Sequence, residues 1–241
     1  EKIEAAHLME HLAFGANTKQ ASSEEVSRYV SQNGAWSNAH TSRKFLSYEI
    51  GSPDFDLKRL LEQLVLQVTK PKFLEEEFKA EFGNVEEEFR GRSNDKWGEL
   101  GSAMMQKFGW DYYESDLERL RLMKNVSLED VKSHYKKVHL AKNAVFFIAG
   151  DISTHKNDIT SILEGLGELE KGNKLELTRD PEIKSFAKKP VVIFKDDVPN
   201  IFFSMECYSI SDGSKKEANS LSLAALNNIL SHEMHSRIFG K

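Results

Sequence analysis

The segment Ala5-Ala-His-Leu-Met-Glu-His-Leu-Ala-Phe14 carries most of the information in this sequence of 241 residues. Apart from two histidines and one glutamate it is apolar, which predicts a helix from about Ile3 to Phe14 that is buried on most sides. Residues four apart on a helix lie about 40° apart around its axis, so His7 and His11 point the same way. Glu10 lies about 60° to the other side of His7.

Three polar side chains in a buried helix are costly unless something satisfies them, and a metal ion would do so. Both imidazoles can reach one cation, while Glu10 is close enough to hold a water molecule on it. The alternative is that the histidines are ordinary buried residues that only form hydrogen bonds. Cys207 is the only cysteine, so any metal must be held by His, Asp or Glu.

A third ligand is needed, because a catalytic zinc has three protein ligands and an open position for water. The acidic segment from about Leu74 to Arg92 predicts a long helix with an apolar stripe of Phe78, Phe82, Val85 and Phe89. Glu81 and Glu88 lie within about 20° of each other on the flank of this stripe, whereas Glu87 lies opposite it. We therefore predict Glu88 as the third ligand and Glu81 as its supporting partner. The alternative is that the glutamates of this helix form a charged, solvent-facing surface beside a core stripe and that Glu88 binds no metal.

Composition narrows the possible partners. The chain has 38 acidic and 33 basic residues and a formal net charge of −5, without a basic stripe, which argues against nucleic acid. No apolar run approaches the roughly 20 residues of a membrane span.

The lack of an internal disulfide fits a reducing compartment but also many exported bacterial proteins. We expect a soluble protein, cytoplasmic or periplasmic in a bacterium and organellar in a eukaryote, and the compartment stays open.

The remaining pattern predicts an α+β fold, with a mixed or antiparallel sheet packed against helices. Besides the two helices above, the predicted elements are helices at 22–33, 54–68, 95–108, 127–138 and 156–166 and strands at 44–50 and 144–149. An aromatic loop at 110–113 is also expected, as are strands at 190–194 and 201–207 and a helix at 216–230. We predict a first domain at 1–167, a charged linker at 168–189 and the beginning of a second domain at 190–241.

These motifs together resemble the inverted-motif zinc peptidases of the pitrilysin, insulin-degrading enzyme and mitochondrial processing peptidase family, peptidase family M16. The segment Ala6–Phe14 resembles the family's metal helix, and Glu88 follows His11 at the kind of distance the family shows. Gly34–Ser42 resembles its Asn-Ala-x-Thr edge strand. The segments 126–153 and 227–239 resemble the close of the first domain and a helix and turn of the second. The resemblance covers nearly the whole chain.

The resemblance implies a zinc-dependent endopeptidase that hydrolyses peptides or unfolded polypeptides and binds one Zn²⁺ per chain. His7, His11 and Glu88 would hold the metal, Glu10 would act as the base, and Glu81 would assist. Substrate would lie along the edge near Asn38 and Ala39. A second homologous half would come from the same full-length chain or from a homodimeric or heterodimeric partner.

The resemblance also implies that the chain is a fragment cut at both ends. Family members have strands before the metal helix, and an Arg and a Tyr that steady the substrate carbonyl beyond the point where this sequence ends. The fragment alone is therefore expected to lack activity. Two other functions stay open, namely a non-catalytic subunit like the core proteins of respiratory complexes and a zinc-stabilised scaffold that only binds peptides. The intact motif favours the peptidase, because non-catalytic relatives usually have an eroded one.

Overall fold

A computed structural model describes residues 4–15, 17–42, 44–93, 98, 100–103 and 115–176, and the single residues 192, 222, 225, 226 and 229. The chain divides into two compact units, Glu1–Lys195 and Asp196–Lys241, and the elements below belong to the first. The predicted aromatic loop, the end of the predicted linker and nearly all of the predicted second domain lie outside the described residues. The predicted domain boundaries stay predictions.

The described elements of the first unit include seven α-helices with defined bounds, three short 3₁₀ helices at 54–56, 141–143 and 164–168, and one hairpin. The helices are α1 (Ala5–Phe14), α2 (Ser23–Gln32), α3 (Leu57–Thr69), α4 (Glu75–Ser93), α5 (Asp116–Met123), α6 (Leu128–Val138) and α7 (Ile152–Leu163). The strands are β1 (Trp36–Thr41) and β2 (Leu46–Gly51). Residues 100–103, within the predicted helix at 95–108, are also helical. The architecture is mostly helical with a small antiparallel sheet, which confirms the predicted α+β class.

Two helices begin where the sequence predicts, because serine side chains cap them. The Ser22 hydroxyl accepts a hydrogen bond from the Glu25 backbone N–H, and the Glu25 carboxylate accepts one from the Ser22 backbone N–H. Ser127 and Asp130 form the same reciprocal pair at the start of α6. Each box satisfies backbone donors that a helix leaves unpaired at its first turn.

The two strands pair in antiparallel register from Trp36 opposite Gly51 to Thr41 opposite Leu46. In the part of the chain that the structure describes, no other strand pairs with β1, so among those residues its second edge has no strand partner. The hairpin packs against α1 and α3. It therefore places β1 next to helix α1.

The predicted buried strand at 144–149 is wrong. Val145 is 76% exposed and Phe147 is 87% exposed, and the segment belongs to no strand. A strand needs a neighbour that takes up its backbone hydrogen bonds and covers its side chains. Within the described ranges nothing pairs with this segment, so the apolar run alone does not make a strand.

The core forms around α1. Leu8, Met9 and Leu12 are at most 1% exposed, and they belong to a cluster that also includes Phe78, Val85 and Phe89 of α4, Leu120 and Met123 of α5 and Val131 of α6. Full burial of one such side chain stabilises the fold by about 1.5–3 kcal/mol. The predicted stripe of α4 is thus confirmed as core, with Phe82 partly buried at its edge. This contact fixes how α4 is rotated relative to α1.

His139, at the end of α6, gives the fold a dependence on pH. Its Nε2 lies 3.2 Å from the Tyr48 hydroxyl, and its ring stacks on Tyr135 at a centroid distance of 4.3 Å. Burial, together with the charge of His134, lowers the pKa of His139 to about 4. The unfolded chain has a pKa near 6.5 at this residue, so unfolding takes up a proton below that value.

We expect the free energy of unfolding to fall by about 2–3 kcal/mol through His139 between pH 7 and pH 4.5. Urea denaturation at both values, compared with His139→Gln, isolates this contribution, since glutamine does not titrate and can still bond to Tyr48. His40→Gln, which removes an exposed histidine, is the matched control. Equal losses of stability in the parent and His139→Gln would contradict the assignment.

Candidate metal centre

The structure brings the three predicted ligands together at the contact between α1 and α4. His7 Nε2 lies 3.4 Å from Glu88 Oε2, and His11 Nε2 lies 3.6 Å from the same oxygen. The two imidazole rings meet at a centroid distance of 4.9 Å and an angle of 75°. One donor atom from each residue thus lies within 4.8 Å of the others.

These distances suit a shared cation better than direct hydrogen bonds. Good N–H···O bonds measure about 2.7–3.2 Å, and both contacts of Glu88 Oε2 are longer. A zinc ion with ligand bonds of about 2.0–2.2 Å in tetrahedral geometry separates its donors by about 3.4 Å. Two nitrogens and one carboxylate oxygen are also a donor set that zinc accepts, with a fourth position open. The residues present therefore fit the metal that the sequence predicts.

Glu88 offers only one oxygen to the histidines, because the other is engaged. Its Oε1 accepts a hydrogen bond from Arg92 one turn further along α4. The Glu88 side chain is 36% exposed, so the site lies at the edge of the core. Solvent therefore has access on this side.

Glu81 contacts the Nδ1 atom of His11, whereas the Nε2 atom of the same ring faces Glu88. Its Oε2 lies 3.1 Å from His11 Nδ1 and also accepts a hydrogen bond from Asn84 at 3.2 Å. The bond to His11 lowers the pKa of Glu81 against the opposing effect of burial. When Nδ1–H donates to this carboxylate, the lone pair of His11 Nε2 is left for a metal. The structure thus places Glu81 against His11, and its role as a supporting partner stays a prediction.

Carboxylates dominate the electrostatics around His11. Burial acts to lower the pKa of its imidazole, but the hydrogen bond to Glu81 and the charges of Glu10, Glu81 and Glu88 raise it overall. An environment that favours a proton on this ring also favours a cation at it. The site is therefore electrostatically suited to a divalent metal.

Glu10 is buried on the same helix and is held by the hairpin. Only 7% of the residue is exposed, and its Oε2 accepts a hydrogen bond from the Thr41 hydroxyl at 2.8 Å. Thr41 was not among the predicted site residues, although it is the last residue of the Asn-Ala-x-Thr motif that begins at Asn38. The last residue of the strand predicted to bind substrate thus forms a hydrogen bond with Glu10, the predicted base.

Asn38 and Ala39 lie in the middle of β1, opposite Glu49 and Tyr48 of β2. Asn38 is exposed and Ala39 is half-buried, so the two side chains face opposite sides of the hairpin. Their predicted role depends on the free edge of β1. That role stays a prediction.

Two further residues near His7 were not predicted from the sequence. Glu4 Oε2 lies 3.2 Å from His7 Nδ1, and Arg119 on α5 binds the same carboxylate. Helix α5 itself was not predicted, although its signal was present. Ser115 caps it by accepting a hydrogen bond from the backbone N–H of Glu118, three residues later.

Helix α1 carries His7, Glu10 and His11, helix α4 packs on it with Glu88 beside both histidines, and the hairpin adjoins α1. Residues 4–111 match the family model of insulinase, peptidase family M16, and residues 125–241 match that of the peptidase M16 inactive domain. The chain belongs to peptidase family M16. It contains the N-terminal domain of that family followed by the start of the C-terminal domain.

Two relatives come from Helicobacter pylori. A curated protein named zinc protease PqqE is 28% identical over 156 residues, which cover 63% of this chain and 34% of that protein. The crystal structure of a protease superposes with a TM-score of 0.57 at 25% identity, covering 77% of this chain and 44% of that one. The chain thus spans about a third to less than half of the length of these relatives.

Among the described residues, no helix is long and apolar enough to cross a membrane.

Proposed function

We propose that the protein is a zinc-dependent endopeptidase that hydrolyses peptide bonds in peptides or unfolded polypeptides. The observation that carries this proposal is the approach of Glu88 Oε2 to the Nε2 atoms of His7 and His11, at 3.4 and 3.6 Å. One zinc ion per chain would be held there. Family membership and the zinc protease among the relatives support the same activity.

Zinc in this site would lower the pKa of a coordinated water towards neutrality and polarise the substrate carbonyl. Glu10 takes the proton of the attacking water and delivers it to the leaving amine. The Thr41 hydroxyl occupies one carboxylate oxygen of Glu10 and so orients the other for this transfer. Glu81 keeps His11 in the tautomer that presents Nε2.

Substrate adds to the open edge of β1 as an extended strand, near Asn38 and Ala39. Main-chain hydrogen bonds of this kind require an unfolded segment, which accounts for the proposed substrate class. A second homologous half, from the same protein or a dimer partner, would complete the wall around the substrate. The start of an M16 C-terminal domain in this chain supports such a half.

The proposal is tested by removing and restoring the metal in the whole protein. We expect cleavage of an unfolded, fluorescently labelled polypeptide to stop when a chelator removes zinc and to return with one equivalent of zinc per chain. Cleavage that persists after complete zinc removal would contradict the mechanism. Stoichiometric zinc and peptide binding without cleavage would instead identify the scaffold or non-catalytic alternative.

A further inference from the structure

Glu4 has an unusual backbone for its residue type. It precedes α1 with φ of 74° and ψ of −8°, and it is the one non-glycine residue with positive φ in the described ranges. This left-handed conformation is unfavourable for any residue with a Cβ and is commonly occupied by glycine. The Glu4 side chain is nevertheless only 2% exposed. Strain of this kind persists where surrounding contacts hold the residue in place.

Both carboxylate oxygens of Glu4 have partners. His7 Nδ1 lies 3.2 Å from Oε2, and Arg119 donates from Nε to Oε1 at 2.7 Å and from Nη2 to Oε2 at 3.1 Å. Arg119 is itself held, since its guanidinium lies 4.7 Å above the Phe89 ring and 3.6 Å from Asp116 Oδ1. Glu4 is therefore fixed in orientation by a two-pronged contact from α5.

This arrangement repeats, on the other imidazole, what Glu81 does for His11. An Nδ1–H that donates to a carboxylate leaves Nε2 with its lone pair and fixes the plane of the ring. For His7 that lone pair is directed to the side where Glu88 Oε2 lies at 3.4 Å.

We propose that Glu4 is a positioning residue for His7, and that Arg119 acts through Glu4 by holding its carboxylate in place. The inference rests on the metal site of the proposed function and adds two residues to it. Neither residue would touch the metal or the substrate. Their effect is on how tightly and in which geometry His7 binds the metal.

The test measures metal affinity, with apo folding as a separate readout. In the whole protein, zinc affinity is measured by competition with a chromogenic chelator, and Co²⁺ is used as a probe of ligand geometry through its visible absorption. The variants are Glu4→Gln, Glu4→Gly, Arg119→Gln and the double variant Glu4→Gln/Arg119→Gln. Glu118→Gln is the matched control, because the Glu118 side chain, on the same helix α5, is 41% exposed and pairs with Arg121. Circular dichroism confirms that each apo variant is folded.

We expect Glu4→Gln and Glu4→Gly each to weaken zinc binding about tenfold or more and to change the Co²⁺ spectrum, as is typical when a partner of a ligating histidine is removed. Glycine suits the left-handed backbone, so an affinity loss in Glu4→Gly reports the carboxylate and not the backbone. Arg119→Gln should have a smaller effect, and in the double variant it should add nothing to Glu4→Gln. Glu118→Gln should bind zinc like the parent.

Parent-like zinc affinity and Co²⁺ spectrum in both folded Glu4 variants would overturn the role of Glu4. Additive losses in the double variant would overturn the role of Arg119 through Glu4. A parent protein that binds no zinc at all would overturn the proposed function together with this inference, so the two failures are distinguishable.

Discussion

Glu10→Gln in the whole protein is expected to reduce peptide-bond cleavage by about a thousandfold or more while zinc stays bound. Glutamine keeps the shape of the side chain and can still contact the Thr41 hydroxyl, but it cannot take a proton from water. General acid–base catalysis by one group contributes typically 10²–10⁴-fold, and here the same group serves twice, as base and then as acid. The loss should appear in kcat, because Glu10 is not among the metal ligands.

The measurement is cleavage of an unfolded polypeptide by zinc-loaded variants, with metal content determined by elemental analysis. Glu24→Gln makes the same chemical change at an exposed position of α2 and should leave the rate unchanged. A Glu10→Gln protein that cleaves at the parental rate would remove Glu10 from the mechanism. Loss of zinc from that variant would show instead that Glu10 contributes to metal binding.

Glu88→Gln is expected to have the largest effect on metal binding. It replaces the one anionic ligand among three, so zinc affinity should fall by more than the roughly 100-fold upper range seen when only an outer partner is removed. The folded state should survive, because Glu88 is partly exposed and its ion pair with Arg92 contributes little at the surface.

Glu87→Gln is a closely matched control, since Glu87 is the preceding residue on α4 and is exposed to solvent. Zinc affinity of both variants can be measured by competition with a chelator, and their apo stability by urea denaturation. We expect Glu87→Gln to bind zinc like the parent. Equal affinities in the two variants would show that Glu88 is not a ligand.

The contact between the two site helices could be predicted because helical geometry is local. The spacing of His7 and His11 fixes their common direction, and the apolar stripe of α4 fixes which carboxylates lie beside the core. The rotation of α4 about its own axis is enough to favour Glu88 over Glu87, because the apolar stripe faces the core and Glu87 lies on the opposite side. The structure places Glu88 beside both histidines, and its role as a ligand stays a prediction.

Features that depend on distant partners could not be predicted in the same way. The run at 144–149 is apolar enough for a buried strand, but strand formation depends on neighbours that local sequence does not specify. The contact between Glu4 and Arg119 joins residues 115 positions apart. Even a correct prediction of α5 from Ser115 would not have shown which carboxylate Arg119 reaches.

The hairpin has a consequence for the choice of the bond that is cut. Under the proposed function, β1 would offer its backbone edge to the peptide, while Thr41 at its end bonds to Glu10, the proposed base. A substrate chain whose pairing with β1 shifts by one residue moves by about 3.3 Å, and each of its side chains then points to the opposite face of the sheet. Because Thr41 holds β1 in a fixed position relative to Glu10, the pairing register of the substrate on β1 would determine which of its peptide bonds is cleaved.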